Sequence, residues 1–323
     1  MAENDQSDVK LSRSERKRRF KEQSQSSKND QSAPQAKRRV PNMPAHCFLP
    51  LSAEDIPATQ WRAVIEYDGT NFNGSQAQDG ADSMRTVQQV IEDALLRTTG
   101  ETLRIRAASR TDKGVHARGQ VIAFKSRCTA DAEVFQNALN NRLSDDVRCQ
   151  QLERVDAAGG EFDPRSHSKS KTYEYVIVNG PLRPVMDRHR VWHVKPHLDE
   201  LKMQQAIDHF LAPPRAKDYS SFTPQKSVDE GDNVCELEAI ELKVQEVHAH
   251  DEDTQPERRV RIVVRGNRFL YKMVRNLVGT LVDVGLGRID PDKIPDILAA
   301  KTRGKAGQGA PPQGLTLMHI RYP

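Results

Sequence analysis

The stretch SRTDKGVHARGQ, Ser109 to Gln120, carries one carboxylate, Asp112, with Arg110 two residues before it and Lys113 directly after it. No second acid lies within ten residues on either side. That pattern narrows the chemistry. A glycosidase needs two carboxylates about 5 to 9 Å apart, and only one is present locally. A metal site built from Asp112 and His116 lacks a nearby third ligand and the familiar ligand spacings. A Ser-His-Asp hydrolase would want a G-x-S-x-G elbow, which the chain lacks. Read by itself, the stretch favours a turn aspartate that satisfies backbone N–H groups, with Gly114 allowing the sharp bend.

Two other stretches could do chemistry. In SKTYEYVIV, Tyr173 and Tyr175 fall on one face of a strand beside Lys169 and Lys171. Aromatics beside basic side chains can stack nucleic-acid bases; the alternative is that one or both rings are core. In FLYKMVRN, Arg275 sits among Met273, Val274, Leu277 and Val278. An arginine in such apolar surroundings prefers a carboxylate partner.

The elements that must position these residues can be read from periodicity. WRAVIEYDG alternates apolar and polar residues and ends in Asp-Gly, a strand entering a turn. Val87, Val90, Ile91, Ala94 and Leu95 form one helix face, which Gly100 closes. ETLRIRAAS and GQVIAFKS read as strands, then DAEVFQNALNNRL as a helix and VRCQQLERV as a strand. A second run repeats the order: strand KTYEYVIVN, a helix with Leu198, Leu201, Ile207, Phe210 and Leu211 on its apolar face, and strands ELEAIELKVQEV and RRVRIVVRG. A long apolar helix over NRFLYKMVRNLVGTLVDVG and a last strand, GLTLMHIRYP, complete it. The reading is an α+β protein of two ferredoxin-like, RRM-like halves, with mainly antiparallel sheets flanked by helices and a catalytic cleft between them. The halves span residues 58–166 and 167–323, after a basic tail at 1–57.

Composition sets outer limits. Of 323 residues, 36% are hydrophobic, and the polar, Ser/Gln-rich N-terminus accounts for much of that low value. It reads as disordered. Residues 1–39 hold 11 Lys/Arg against 6 Asp/Glu, a local +5 that leaves about −1 for the rest of a +4 chain. Bulk charge therefore does not carry a nucleic-acid reading; a patch, a motif or the tail must. The four cysteines form no C-x-x-C pair, which argues against a disulfide framework or zinc knuckle. No apolar run reaches the roughly 18 residues of a membrane helix, and the acidic first ten residues do not read as a secretory signal.

SRTDKGVHARGQVIAF resembles the signature of the tRNA pseudouridine synthase A (TruA) family. Six further family-like stretches follow in the family's order: YDGTNFNGSQAQ (67–78), FDPR (162–165), KTYEY (171–175), YSSF (219–222), FLYKMVRNLVGTLVDVG (269–285) and APPQGLTLMHIRYP (310–323). The resemblance spans about residues 60–323. It implies cofactor-free isomerisation of uridine to pseudouridine in the anticodon stem-loop of tRNA, around tRNA positions 38–40, with no metal. It assigns Asp112 as the catalytic aspartate, Tyr173 as the ring stacked on the target base and a candidate proton acceptor, and Arg275 as the partner of the aspartate. Leu315 would pack in the same pocket, Arg110 would contact RNA and hold the base flipped, and Arg165 would be a further RNA contact. It also implies tRNA as partner, a homodimer and no membrane. The basic clusters RKRR (Arg16–Arg19) and KRR (Lys37–Arg39) suggest nucleus or cytoplasm, with an organelle as the remaining alternative. This chain departs from the family at Ser75, where Gly-Trp-Gln is common, at Ser109, where bacterial members usually have Gly, and in its tail and the insert at 248–258.

The chemistry suits a lone aspartate. The N1–C1′ bond breaks, the uracil turns, and C5 bonds to C1′, without oxidation or hydrolysis. The carboxylate acts either as a nucleophile at C1′ or as a base toward the sugar, leading to a glycal. Burial disfavours a carboxylate's charge and an adjacent guanidinium favours it, so Arg275 is the expected counter-charge. The same chemistry at other tRNA or small-RNA uridines, a non-catalytic RNA-binding module and a scaffold acting through its tail are the competing readings.

Overall fold

A computed structural model describes residues 57–76, 84–156, 160–224, 233–247 and 257–323. The tail at 1–57, apart from Pro57, and most of the insert at 248–258 fall outside the described residues. The first run is β1 (Thr59–Tyr67), α1 (Val87–Thr99), β2 (Arg106–Ala107), β3 (His116–Ser126), α2 (Ala132–Asn140) and β4 (Val147–Arg154). The second is β5 (Ser170–Asn179), β6 (Trp192–Val194), α3 (Glu200–Leu211), β7 (Ala216–Asp218), β8 (Val234–Val247), β9 (Glu257–Gly266), α4 (Met273–Gly285), α5 (Ile294–Ala299) and β10 (Leu315–Arg321). This is a mixed α/β protein with a largely antiparallel sheet flanked by helices. Hydrogen bonding runs in the order β4-β1-β3-β10-β5-β9-β8-β7, with β2 on β3 and β6 on β5. Instead of separate sheets, the two runs share one. They join where β10 lies parallel to β3, pairing Thr316 with His116 and Leu317 with Ala117.

The alternation of β1 sets its faces. Trp61, Ala63, Ile65 and Tyr67 are buried, and Phe135 of α2 meets the Trp61 ring edge-on at 5.0 Å. The other face is polar, with ion pairs such as Arg62–Glu153 and Arg261–Glu174. Helix α1 starts with a capping box, in which the Thr86 hydroxyl accepts from the Gln89 N–H and the Gln89 side chain accepts from the Thr86 N–H. It ends at Gly100 in the left-handed conformation, as its sequence predicts. In α3 the buried face is Met203, Ala206, Ile207 and Phe210, whereas Leu201 is exposed. At 100° per residue Leu201 falls about 120° away from Ile207, off the apolar stripe.

Two elements differ from their sequence expectation. ETLRIRAAS forms a strand only at Arg106–Ala107. The edge of β3 that β2 uses is shared with β10, and the Ile105 N–H is taken by the Glu92 carboxylate of α1 at 3.1 Å. The long helix does not begin at Asn267 but at Met273, behind a left-handed Lys272 (φ 59°). This frees Phe269 to turn its ring edge-on to Tyr173, centroids 5.2 Å apart.

Candidate active site

Asp112 lies in the loop between β2 and β3. Its carbonyl accepts from the Val115 N–H at 3.1 Å, closing the turn the local sequence suggests. Gly114 sits at φ +79°, and a Cβ there would come 3.2 Å from the Pro312 side chain, so backbone and space both favour glycine. The carboxylate itself looks elsewhere: its Oδ2 accepts from the Arg275 guanidinium at 2.7 Å. Arg275 comes from the first turn of α4, and its Nε–H donates to the Ala310 carbonyl at 2.8 Å. Both side chains are largely buried, 16% exposed for Arg275 and 21% for Asp112. A bond to each of two partners fixes the guanidinium plane, so the charge pair has one geometry.

The loop is held on both sides of Asp112. The Thr111 N–H donates to Ser75 Oγ at 2.8 Å, and its carbonyl accepts from the Ser75 N–H at 3.1 Å. Tyr67 and Thr111 share a hydroxyl–hydroxyl bond of 2.7 Å. Ser109 is clamped through its backbone by the buried Gln120 amide, which accepts from its N–H at 3.2 Å and donates to its carbonyl at 2.7 Å. Ser75 and Ser109 are the two positions where the sequence departs from the family pattern. Here Ser75 supplies a backbone brace in place of an apolar anchor, and Ser109 Oγ meets the Tyr173 hydroxyl at 2.9 Å. Gln120 and Thr111 stood in the motif without a role, because their partners are not sequence neighbours.

The two tyrosines of β5 separate. Tyr175 is fully buried, and its hydroxyl donates to the Pro311 carbonyl at 2.7 Å, so it is scaffold beneath the segment leading to Leu315. Tyr173 lines a cleft of about 1060 Å³ together with Asp112, Arg275, Leu315, Arg110 and Arg165. All six residues singled out in the sequence therefore border one cleft. Leu315 opens β10 and pairs in register with Tyr175. Arg110 and Arg165 are exposed. Among the described residues no three His, Cys, Asp or Glu side chains gather as metal ligands, and no helix is long and apolar enough to cross a membrane.

Burial pushes the Tyr173 phenol up to about 12, with the nearby Asp112 charge adding to this and the Ser109 bond offsetting part of it. At neutral pH the ring is a neutral phenol. Burial likewise raises Tyr67. The folded value of Tyr173 lies above the unfolded value of 10.0, so its stabilisation is fully present below pH 10 and fades as pH climbs toward 12. The melting temperature is expected to fall above pH 10, and to fall less steeply in Tyr173→Phe. Equal slopes in wild type and variant would refute this ionisation.

A carboxylate clamped by a distant guanidinium, a buried aromatic wall and arginines at the rim are the parts of an enzyme that works on RNA bases. The chain belongs to the tRNA pseudouridine synthase family, whose model matches residues 63–160 and 216–323. It is similar to proteins named tRNA pseudouridine synthase A from three bacteria. It is 38% identical to that of Ruminiclostridium cellulolyticum over 261 residues, covering 81% of this chain and 98% of the relative. The Brevibacillus brevis protein is 40% identical over 261 residues, with 81% and 98% covered. The Anaplasma marginale protein is 39% identical over 264 residues, with 81% and 100% covered.

Proposed function

We propose that this chain converts uridine to pseudouridine in the anticodon stem-loop of tRNA, around tRNA positions 38–40, with Asp112 as its single catalytic carboxylate. The observation that carries this reading is the 2.7 Å pair between Arg275 and Asp112 on the wall of the cleft that Tyr173 borders. Asp112 acts at the sugar, as a nucleophile at C1′ or as the base that generates a glycal. The N1–C1′ bond breaks and C5–C1′ forms; C5 gives up its proton and N1 gains one, so nothing is oxidised and no cofactor is called for. Flipping the target out of its stem costs roughly a few kcal/mol, and stacking on Tyr173 returns about 1–3 kcal/mol. The neutral phenol fits that stacking role better than the role of proton acceptor. Leu315 packs against the base, and Arg110 and Arg165 contact RNA. Pseudouridine mapping of tRNA from cells lacking the protein, with and without rescue, tests the reading; an unchanged anticodon stem would sink it.

The strand orders support two ferredoxin-like halves, 58–166 and 167–323, with the cleft between them: β4-β1-β3-β2 in one and β10-β5-β9-β8 in the other follow the same sequence of crossovers. The boundary of this body is proposed to fall between residues 57 and 58. A chain of residues 58–323 is expected to keep the wild-type melting temperature, and a drop of several degrees would move the boundary. A homodimer would present two separated surfaces to a folded tRNA, and light scattering with and without tRNA tests it. The bacterial relatives favour the cytoplasm over a nuclear or organellar address, and fractionation of the native host checks this.

A further inference from the structure

Asp112 and Tyr173 stand on parts of the chain that no backbone ladder joins. The order of the sheet puts β10 between β3 and β5, so the loop leading into β3 does not pair with the strand that carries Tyr173. One side-chain contact crosses that gap. Ser109 Oγ and the Tyr173 hydroxyl meet at 2.9 Å, although they are 64 residues apart in sequence. Ser109 lies three residues before Asp112 and lines the same cleft. Its backbone is already fixed by Gln120, which is 2% exposed and bonds both its N–H and its carbonyl. The hydroxyl is therefore not needed to hold the loop, and it reaches Tyr173 from a rigid base. Tyr173 is 5% exposed, and Phe269 meets its ring edge-on on another side. The ring is thus gripped at its face-forming neighbour and at its oxygen. A buried phenol needs a partner for its O–H, and Ser109 supplies one from the loop of the carboxylate.

We infer that Ser109 is a positioning residue: its hydroxyl sets the Tyr173 ring at a fixed separation from Asp112. The inference rests on the uridine-isomerising reading of this cleft. In that reaction the carboxylate acts at C1′ while the ring carries the uracil, and both belong to one nucleoside. Their separation must match that nucleoside, and a misplacement of about 1 Å costs on the order of 100-fold in rate. The phenol keeps its hydrogen at neutral pH, so the two hydroxyls satisfy one another without a charge. Ser109 is also a position where this chain departs from the family pattern, in which bacterial members usually have Gly. Glycine offers no hydroxyl, so the tie is a property of this chain rather than of those members.

The test uses the full-length protein as wild type, Ser109→Ala, Ser109→Thr, Tyr173→Phe and the Ser109→Ala, Tyr173→Phe double variant. Ser109→Ala is expected to slow single-turnover pseudouridine formation on bound tRNA by about 5- to 10-fold, the scale of one hydrogen bond. The Kd for tRNA should not change. Ser109→Thr keeps a hydroxyl on the same carbon and should run faster than Ser109→Ala; a rate no better than that of Ser109→Ala counts against the role. Equal rates in wild type and Ser109→Ala overturn it. Weaker binding with the rate of bound substrate preserved makes Ser109 an RNA contact and overturns it as well. Melting temperatures read the hydroxyl pair without turnover, as a double-mutant cycle. Ser109→Ala should lower the melting temperature of wild type and leave that of Tyr173→Phe almost unmoved. Equal drops in both backgrounds mean that the pair does not form in solution, and the inference falls. A wild type that makes no pseudouridine sinks the reaction itself and the positioning role with it, an outcome distinct from an active wild type matched by Ser109→Ala.

Discussion

Asp112→Asn is expected to eliminate pseudouridine formation while leaving tRNA binding intact. The substitution keeps the shape of the side chain and an oxygen facing Arg275, whose N–H donates across 2.7 Å. It removes the charge that either proposed route requires: an amide neither attacks C1′ nor accepts a proton from the sugar at neutral pH. Loss of a catalytic group of this kind lowers turnover by on the order of 10,000-fold or more. The loop should hold its place, because Ser75, Tyr67 and Gln120 fasten Thr111 and Ser109 independently of the carboxylate. The measurement is single-turnover pseudouridine formation on tRNA, alongside a binding isotherm and a melting curve. Restored modification in cells rescued by the variant would remove Asp112 from its role. Loss of binding together with activity would make it an RNA contact instead.

Arg275→Ala is expected to lower turnover at least about 100-fold, the scale of a misplaced catalytic group, with tRNA affinity largely kept. Two things are lost together: the counter-charge of Asp112 and the brace to the Ala310 carbonyl. Breaking a fully buried charge pair costs roughly 3–5 kcal/mol; here about a fifth of the Asp112 side chain is exposed, so the cost is smaller. A modest drop in melting temperature should therefore accompany the loss of rate. Arg275→Lys restores a charge but not the two-partner geometry, and should recover stability more than rate. If affinity for tRNA collapses while the rate of bound substrate is preserved, Arg275 belongs to the RNA surface rather than to the aspartate.

Local features of this protein were plain in its sequence because they are written within a few residues. The Gly100 stop of α1, the two-residue alternation of β1, and the Gly114 turn each depend on neighbours in the chain. Elements failed where a neighbour distant in sequence intervened. Residues around Ile105 read as a strand, but a carboxylate from α1 captured the backbone. The segment 267–271 reads as helix, but its aromatic ring found Tyr173 instead. Tyr173 and Tyr175 are indistinguishable by period, and only the Pro311 carbonyl above Tyr175 separates scaffold from cleft wall.

By itself the sequence determined the chemistry on offer and the family that supplies it: one acid among bases, two tyrosines on a strand, an arginine in an apolar helix, and seven stretches in a familiar order. Which of these meet was decided by the tertiary structure. Asp112 and Arg275 are separated by 163 residues and touch because β10 docks parallel to β3, where the two runs of the chain join in one sheet. The bracing of the Asp112 loop by Ser75 and Gln120 likewise joins residues distant in sequence. Periodicity reports on a residue's own element, over which the backbone repeats itself. Contact between elements depends on strand pairing, crossover and packing, and those are properties of the whole chain.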